Sequence, residues 1–191
     1  MKRLFFALDL SEEVLDSLEA LQEACRTELP RGVRMRWTPR ENMHLTVKFL
    51  GSTEEDLVEP LCEAIDEIAA QTAPFELQVE HLGAFPHPRR PRILWTGVDR
   101  QSAERLAELH RQIEAELEES FEIDRDEHPF QAHMTYGRVK SGKAPKFDKM
   151  EPNLPEGPYG TSAVSEIVLY ESELDGSGAT HRVVHRSPLG G

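Results

Sequence analysis

The order of helical and strand-like segments constrains the fold of this 191-residue chain more than any other feature. Apolar residues at helical spacing predict helices over residues 11–29, 54–70 and 102–119. Alternating or β-branched runs predict strands over residues 3–9, 33–37, 43–50, 75–82, 92–98, 132–139, 163–171 and 181–187. Because these segments do not follow a strict βαβ alternation, we predict an α+β fold with antiparallel sheets.

Capping residues and breakers predict where these segments begin and end. Ser11 precedes two acids and an apolar stripe, which is typical of a helix start, and Pro30 ends the same helix. Thr53 is predicted to cap the second helix. The Lys-, Pro- and Gly-rich stretch 141–160 is predicted to be a long polar loop, of a length typical of functional or mobile loops.

Two strand-like segments carry the same pattern, His-x-Thr. In the first, alternation along a regular strand places His44, Thr46 and Lys48 on one face and Leu45, Val47 and Phe49 on the other. In the second, His133 and Thr135 share a face opposite Met134 and Tyr136. Each half of the chain has a helix followed by such a strand. We therefore predict one domain, residues 1–191, made of two pseudo-equivalent lobes. Each lobe is an antiparallel sheet with helices packed on its outer face, and the lobes flank a central cleft.

Two opposed histidines suit the hydrolysis of a cyclic phosphodiester. This reaction needs a base that takes a proton from water and an acid that protonates the leaving alkoxide on the other side of the phosphorus. The imidazole of histidine has an unperturbed pKa near neutrality and can fill either role. A threonine hydroxyl two residues further on can donate to a non-bridging phosphate oxygen. This chemistry requires neither a metal ion nor a cofactor.

The charge pattern favours a small anionic substrate over a long nucleic acid. The formal net charge is −13, which repels a polyanion as a whole. Residues 104–127 and 54–67 are strongly acidic, whereas residues 31–48 and 138–149 are basic and bracket the two motifs. The chain has no run of about 18 apolar residues and no cleavage-site pattern near its start, so we expect a soluble cytoplasmic protein that does not bind membranes.

At these residues the sequence resembles the two-histidine (2H) phosphoesterases, specifically the bacterial and archaeal RNA 2′,3′-cyclic phosphodiesterases formerly described as 2′-5′ RNA ligases. The resemblance spans nearly the whole chain. It rests on residues 3–8, 42–51, 82–86, 94–95, 129–138 and 168–172. It implies that His44 donates a proton to the leaving 3′ oxygen and that His133 accepts one from water, leaving a 2′-phosphate. It also implies that Thr46 and Thr135 bind the phosphate of an RNA end or nucleotide, in a monomer with no obligate protein partner.

Other readings of the same residues remain open. The site could serve a 2′-5′ RNA ligase or a small cyclic-nucleotide phosphodiesterase, or the chain could be a non-catalytic module that binds RNA ends or nucleotides. Arg138 is a candidate phosphate ligand, but it is five residues beyond His133, so in a regular strand it would point away from the cleft unless a bulge near Gly137 turns it. Phe49 and Trp37 could stack on a base, although aromatic residues on strands more often belong to the core.

The remaining histidines and the cysteines are given no part in catalysis. His181 and His185 are predicted to lie on a surface strand, and no role is assigned to His110. Cys25 and Cys62 follow the apolar rhythm of their helices and are predicted to be buried thiols rather than metal ligands or a disulfide.

Overall fold

Two antiparallel sheets form the framework of the protein, for which a computed structural model describes residues 1–142, 144–174, 176 and 178–191. The strands are β1 (Lys2–Leu8), β2 (Arg34–Trp37), β3 (Leu45–Thr53), β4 (Phe75–Phe85), β5 (Ile93–Val98), β6 (Met134–Ser141), β7 (Thr161–Val164), β8 (Glu166–Leu174) and β9 (Ala179–Pro188). The four-stranded sheet has the order β3-β1-β8-β9 and the five-stranded sheet the order β2-β6-β5-β4-β7. The predicted α+β class with antiparallel sheets is confirmed.

The helices are α1 (Glu12–Glu28), α2 (Val58–Ala70), α3 (Arg100–Phe121) and the short α4 (Phe147–Met150). Helix α1 packs against β6 and β7 of the five-stranded sheet, and α2 packs against β8 and β9 of the four-stranded sheet. Helix α3 contacts β3 of one sheet and β4 of the other, so it bridges the two. None of the described helices is long and apolar enough to cross a membrane.

Local sequence signals explain the helix boundaries, with one exception. The Ser11 side chain accepts a hydrogen bond from the backbone N–H of Val14, and Asp99 caps α3 in the same way through Ser102. Thr53, however, does not cap the second helix. It is the last residue of β3, and a 3₁₀ turn over Glu55–Leu57 precedes α2. The prediction was wrong because the apolar rhythm of the helix begins one turn after the last strand residue.

The two sheets do not correspond to the two halves of the sequence. The four-stranded sheet joins β1 and β3 to β8 and β9 from the C-terminal part of the chain, whereas the middle of the chain forms the five-stranded sheet. The buried apolar side chains form one cluster that extends from Leu4 to Leu189 and includes residues of both sheets. The ends of the chain are therefore built into the same core as its centre.

The stretch 141–160 is more ordered than the predicted polar loop. It contains α4 and a 3₁₀ turn over Glu151–Asn153. Phe147, Met150, Leu154 and Tyr159 are buried in the main core, which explains why this Pro- and Lys-rich segment packs closely. Lys143, which also belongs to the predicted loop, lies outside the described residues.

Candidate active site

The two His-x-Thr motifs each lie at the start of a strand, one in each sheet. His44 immediately precedes β3 and His133 immediately precedes β6. Both histidines and both threonines, Thr46 and Thr135, line one cleft with a volume of about 1360 Å³. The structure thus brings together the four residues that the sequence singled out, and Arg138 lines the same cleft.

Each histidine ring is fixed by the backbone two residues before it. Nδ1 of His133 lies 2.8 Å from the carbonyl oxygen of Gln131, and the His44 ring is hydrogen-bonded to the backbone of Asn42. Because a carbonyl can only accept, Nδ1 of His133 must donate. In the neutral ring, the proton therefore sits on Nδ1 and leaves Nε2 with a free lone pair.

Aromatic rings from neighbouring strands support both imidazoles. His44 stacks on Phe5 of β1, with ring centroids 4.9 Å apart. His133 meets the ring of Phe85 edge-on at 5.1 Å, and Trp95 stacks behind Phe85 at 4.9 Å. These contacts limit ring rotation and keep water away from one side of each histidine.

The surroundings favour the neutral form of both histidines. Burial lowers the pKa of His44 to about 4, with His181 and His133 adding to the effect and Asp9 and the Asn42 backbone opposing it. Burial also lowers the pKa of His133, and the nearby Arg138 guanidinium acts in the same direction. The hydrogen bond to Gln131 opposes this shift. Among the described residues neither ring forms an ion pair with a carboxylate, and Asp9 acts on His44 only through its charge.

A β-bulge occurs at the same position in both motifs. Opposite β1, Phe6 pairs with Lys48 and Ala7 pairs with Thr46, so Val47 is an extra residue. Opposite β5, Leu94 pairs with Gly137 and Trp95 pairs with Thr135, so Tyr136 is the extra residue. In both strands the extra residue is the third after the histidine. The motifs therefore share backbone geometry as well as sequence.

The bulges decide which side chains enter the cleft. Arg138 lines the cleft because the extra residue Tyr136 turns the Arg138 side chain back toward it. This is the bulge that the sequence analysis required for Arg138 to reach the phosphate. At the equivalent position in β3, Phe49 also lines the cleft and is 53% exposed. The predicted face assignment was therefore wrong for Phe49 and Lys48, since it assumed a regular strand. Phe49 points into the cleft, and Lys48 is buried on the opposite side, with 2% of its surface exposed.

Lys48 lies in a charged cluster with the buried Glu114 of α3 and the exposed Asp126, which also lines the cleft. Its Nζ is 2.8 Å from Oε1 of Glu114 and 2.7 Å from Oδ1 of Asp126, and it donates to the carbonyl of Asp124 at 3.2 Å. The backbone N–H of Asp126 donates to the same Glu114 oxygen at 2.6 Å. Nε2 of His110 lies 3.3 Å from Oδ2 of Asp126. This polar network is buried beneath β3 at Lys48, Glu114 and His110 and reaches solvent at Asp126.

His110, Glu114 and Asp126 have the spacing of metal ligands, with candidate ligand atoms within 4.8 Å of one another. The ammonium of Lys48 already contacts both carboxylates, so one positive charge occupies the position that a cation would take. A second cation there would be repelled by this charge. The donor set therefore fits a lysine-centred ion cluster better than a metal site.

His181 is a cleft residue that the sequence prediction missed. It lies on β9, as predicted, but its ring lines the cleft and meets the His44 ring edge-on at 5.2 Å. The spacing of His181 and His185 suggested only a surface strand. His185 does lie away from the cleft, with Nε2 2.8 Å from Oδ1 of Asp66. No signal near His181 in the sequence indicates that β9 comes close to His44.

The predicted thiols are both free, and they differ in burial. Cys25 is fully buried, 3.9 Å from the Tyr136 hydroxyl, and burial raises its pKa to about 11. Cys62 is only half-buried, because it lies at the border of the apolar stripe of α2. Neither cysteine lines the cleft.

The chain is similar to known phosphoesterases along most of its length. The sequence profile of the family described as LigT like Phosphoesterase matches residues 8–95 and 97–180. A Geobacillus stearothermophilus protein named RNA 2′,3′-cyclic phosphodiesterase is 36% identical over 90% of this chain, although the chain spans only 52% of that protein's length. A protein of the same name from Methanothermobacter thermautotrophicus is 30% identical, and the match covers 92% of each chain.

The fold is also similar to that of a solved protein. The crystal structure of TT0787 of Thermus thermophilus superposes with a TM-score of 0.83 at 29% identity. The superposition covers 99% of this chain and 98% of that one.

The buried ion cluster generates a prediction about stability. Replacing Lys48 with Met is expected to lower the free energy of unfolding by about 3–5 kcal/mol, because Glu114 would remain buried without its cation. Denaturant unfolding of the wild type and the variant measures this. The matched control is Lys2→Met, which removes a 3.0 Å pair with Glu171 in which the two side chains are 30% and 15% exposed, and it should lower the free energy of unfolding by less than Lys48→Met does.

The pH dependence of the same variant has a definite sign. Burial alone would raise the pKa of Glu114, but Lys48, the Asp126 N–H and His110 together place it below its ordinary value. This stabilisation is complete above the unfolded-state pKa and is lost as the pH falls through the lower folded-state pKa. The difference in unfolding free energy between wild type and Lys48→Met should therefore shrink on acidification. An equal loss in Lys2→Met and Lys48→Met would contradict the role of the cluster.

Proposed function

This chain belongs to the LigT-like phosphoesterase family, and from that premise we propose that it hydrolyses RNA 2′,3′-cyclic phosphates to 2′-phosphates with His44 and His133 as acid and base. The observation that carries the proposal is the pairing of the two histidines in one cleft. Each is fixed by the backbone two residues before it, and each has a threonine two residues after it. The relatives named RNA 2′,3′-cyclic phosphodiesterase support the same substrate class.

In this proposal the tautomer of His133 suits the base. With its Nδ1 donating to Gln131, the free Nε2 lone pair can take a proton from the attacking water. His44 then protonates the leaving 3′ oxygen from the other sheet, which gives the in-line arrangement that phosphoryl transfer needs. The phosphate remains on the 2′ oxygen. We further infer that residues 1–191 act as one domain, since a single core connects the sheets that carry the two motifs.

Thr46, Thr135 and Arg138 have supporting roles in this mechanism. The two hydroxyls can donate to the non-bridging oxygens, where charge accumulates in the transition state. The guanidinium of Arg138 lines the cleft near His133 and supplies a fixed positive charge to the same oxygens. Every group in this scheme is a side chain of the protein, so the proposed reaction uses no metal ion or cofactor.

The histidine roles predict a large loss of turnover in single variants. His44→Ala and His133→Ala should each lower kcat/KM by about 10²- to 10⁴-fold, because each removes one proton-transfer group. The assay follows hydrolysis of a nucleoside 2′,3′-cyclic phosphate in EDTA and identifies the product, which should be the 2′-phosphate. His185→Ala is the matched control, since this ring contacts Asp66 outside the cleft. Loss of wild-type turnover in EDTA would argue for a metal-dependent reaction. Absence of wild-type turnover under any of these conditions would favour the binding-module alternative.

The lowered pKa values predict an acidic optimum for kcat/KM, which reports the free enzyme. Burial lowers the pKa of His44 to about 4 and lowers that of His133, so above both values neither ring carries a second proton to donate. The profile of kcat/KM should therefore decline with rising pH from a point below the ordinary histidine pKa of about 6.5. The corresponding decline in kcat should occur at a higher pH than the decline in kcat/KM, because the bound phosphate anion raises the pKa values of both histidines. A kcat/KM plateau that extends into the alkaline range would contradict this assignment.

Arg138 generates a separate prediction about phosphate binding. Arg138→Gln should lower kcat/KM by about 10- to 100-fold, since a charged hydrogen bond contributes about 1.5–3 kcal/mol. Arg100→Gln is the control, because Arg100 is 93% exposed on α3 and pairs with Glu104. Steady-state kinetics on the same cyclic nucleotide provide the measurement. Equal kinetics in both variants would exclude Arg138 from the phosphate site.

A further inference from the structure

Two neighbouring strands, β2 and β6, carry basic side chains in the cleft and beyond its edge. Arg36 of β2 and Arg138 of β6 are directly paired, and both line the cleft. Arg34 lies two residues further out on β2, so it projects from the same face as Arg36, about 7 Å away. On β6, Lys140 lies two residues beyond Arg138 and is exposed. Lys140 is also the extra residue of a bulge, since Arg34 pairs with Ser141 and Met35 with Val139, so its direction is not set by regular alternation. Both strands thus carry exposed cations at this end of the cleft.

Two further basic segments meet this end of the five-stranded sheet. The backbone N–H of Val139 donates to the carbonyl of Arg92 at 2.8 Å, and that of Phe147 donates to the carbonyl of Pro88 at 2.8 Å. These bonds place the loop 86–92 and the segment 144–150 beside the outer end of β6. Both segments expose cations, namely Arg89, Arg90, Arg92, Lys146 and Lys149.

The resulting surface has a charge opposite to that of the rest of the protein. We define the basic rim as Arg34, Arg36, Arg89, Arg90, Arg92, Arg138, Lys140, Lys146 and Lys149. Within residues 31–37, 86–92, 138–142 and 144–150, all of which the structure describes, the one acid is Asp148. Its Oδ2 lies 3.7 Å from Nε of Arg89. The whole chain, by contrast, has a formal net charge of −13.

We propose that the basic rim binds the backbone of single-stranded RNA on the 5′ side of the terminal cyclic phosphate. This inference rests on the proposed function, because it assumes that the 3′ end of the RNA lies in the cleft. From there the chain must leave past some part of the cleft wall. The Arg36–Arg138 pair and the Arg34 and Lys140 side chains beyond it form a positively charged exit for a phosphate backbone.

The charge distribution also limits how much RNA can be bound. Phosphates that lie on the rim gain from nearby cations, whereas phosphates beyond it meet an acidic surface. At physiological ionic strength the field of a surface charge decays within about 8 Å, so the rim acts only on the nearest few nucleotides. The protein therefore selects short RNA ends or protruding 3′ tails over isolated nucleotides, without gripping a long strand.

The test compares a nucleoside 2′,3′-cyclic phosphate with an RNA of about six nucleotides ending in the same group, a length within the range of known single-strand sites. For the wild type at low salt, kcat/KM for the RNA should exceed that for the nucleotide by about tenfold or more. This advantage should fall with added salt, with a logarithmic slope of about −0.7 for each phosphate contacted. By comparison, kcat/KM for the nucleoside 2′,3′-cyclic phosphate should change little with added salt.

The decisive variant is the double substitution Arg34→Gln with Lys140→Gln, because neither side chain lines the cleft. It should lower kcat/KM for the RNA about tenfold and make the salt slope shallower by about 0.7 for each phosphate contact that is lost. Its kcat/KM for the nucleoside cyclic phosphate should stay within about twofold of the wild-type value. The control is Arg100→Gln with Arg111→Gln, which removes the same charge from the exposed face of α3 and should leave both substrates unchanged.

Direct binding separates this proposal from the proposed function. Fluorescence anisotropy of a labelled RNA with a non-hydrolysable 3′ end measures RNA binding by the basic rim even if the protein shows no turnover. Weaker RNA binding by the rim variant than by the control variant supports the basic rim as an RNA-binding surface, whether or not the protein hydrolyses the RNA. If the wild type binds and hydrolyses RNA no better than the nucleotide, or if the rim and control variants behave alike, the rim does not bind RNA. That result would leave an acidic protein partner as the occupant to test.

Discussion

The buried ammonium of Lys48 connects the two motifs of the cleft. Lys48 lies four residues after His44, and its contacts reach Glu114 of the bridging helix α3 and the Asp124–Asp126 segment. That segment leads into Phe130, whose ring stacks on His110 at 4.4 Å, and then to His133. One cation thus joins the strand of the first histidine to the approach of the second. The Lys48–Glu114 salt bridge is almost inaccessible to water, whereas the Asp126 carboxylate is exposed, and the buried pair gives this connection a defined geometry.

The repeated bulge explains how one strand can serve both this cluster and the cleft. In a regular strand, His44, Thr46 and Lys48 would all face the cleft, and Lys48 could not reach α3. The extra residue Val47 reverses the alternation after Thr46, so Lys48 turns inward and Phe49 turns outward. The second motif uses the same reversal differently. Gly137 takes the inward position, where a side chain would meet the ring of Trp37 at 3.0 Å, and Arg138 takes the outward one. The two motifs thus share a backbone and differ in the side chains that follow it.

The sequence predicted the periodic parts of the structure and missed those set by distant contacts. Strands and helices with clear apolar rhythm, such as α1 and α3, were predicted close to their observed bounds, as was the pairing of both histidines with a threonine on one face. The bulge at Val47 could not be predicted, because no glycine or proline lies beside it. In β6, by contrast, Gly137 indicated a possible bulge. His181 was missed because its position beside His44 depends on β9 joining β8 and β1, an order that no local pattern contains. The buried role of Lys48 was missed for the same reason, since its partners lie 66 and 78 residues away.

The electrostatics of the cleft connect substrate binding to protonation. Burial that lowers the pKa of His44 to about 4 makes the ring a poor base before substrate binds and a strong acid once it is protonated. A phosphodiester brings one negative charge beside that ring, which favours the imidazolium that the proposed reaction requires. Binding of the anion and uptake of a proton by the cleft are then thermodynamically linked, so each promotes the other. Arg138 opposes this proton uptake at His133, whose pKa it helps to lower, and so it favours the neutral form of the ring that we propose as the base. The difference between Phe49 and Arg138 at the two bulges therefore provides a physical reason for the opposite roles that we propose for the two similar motifs.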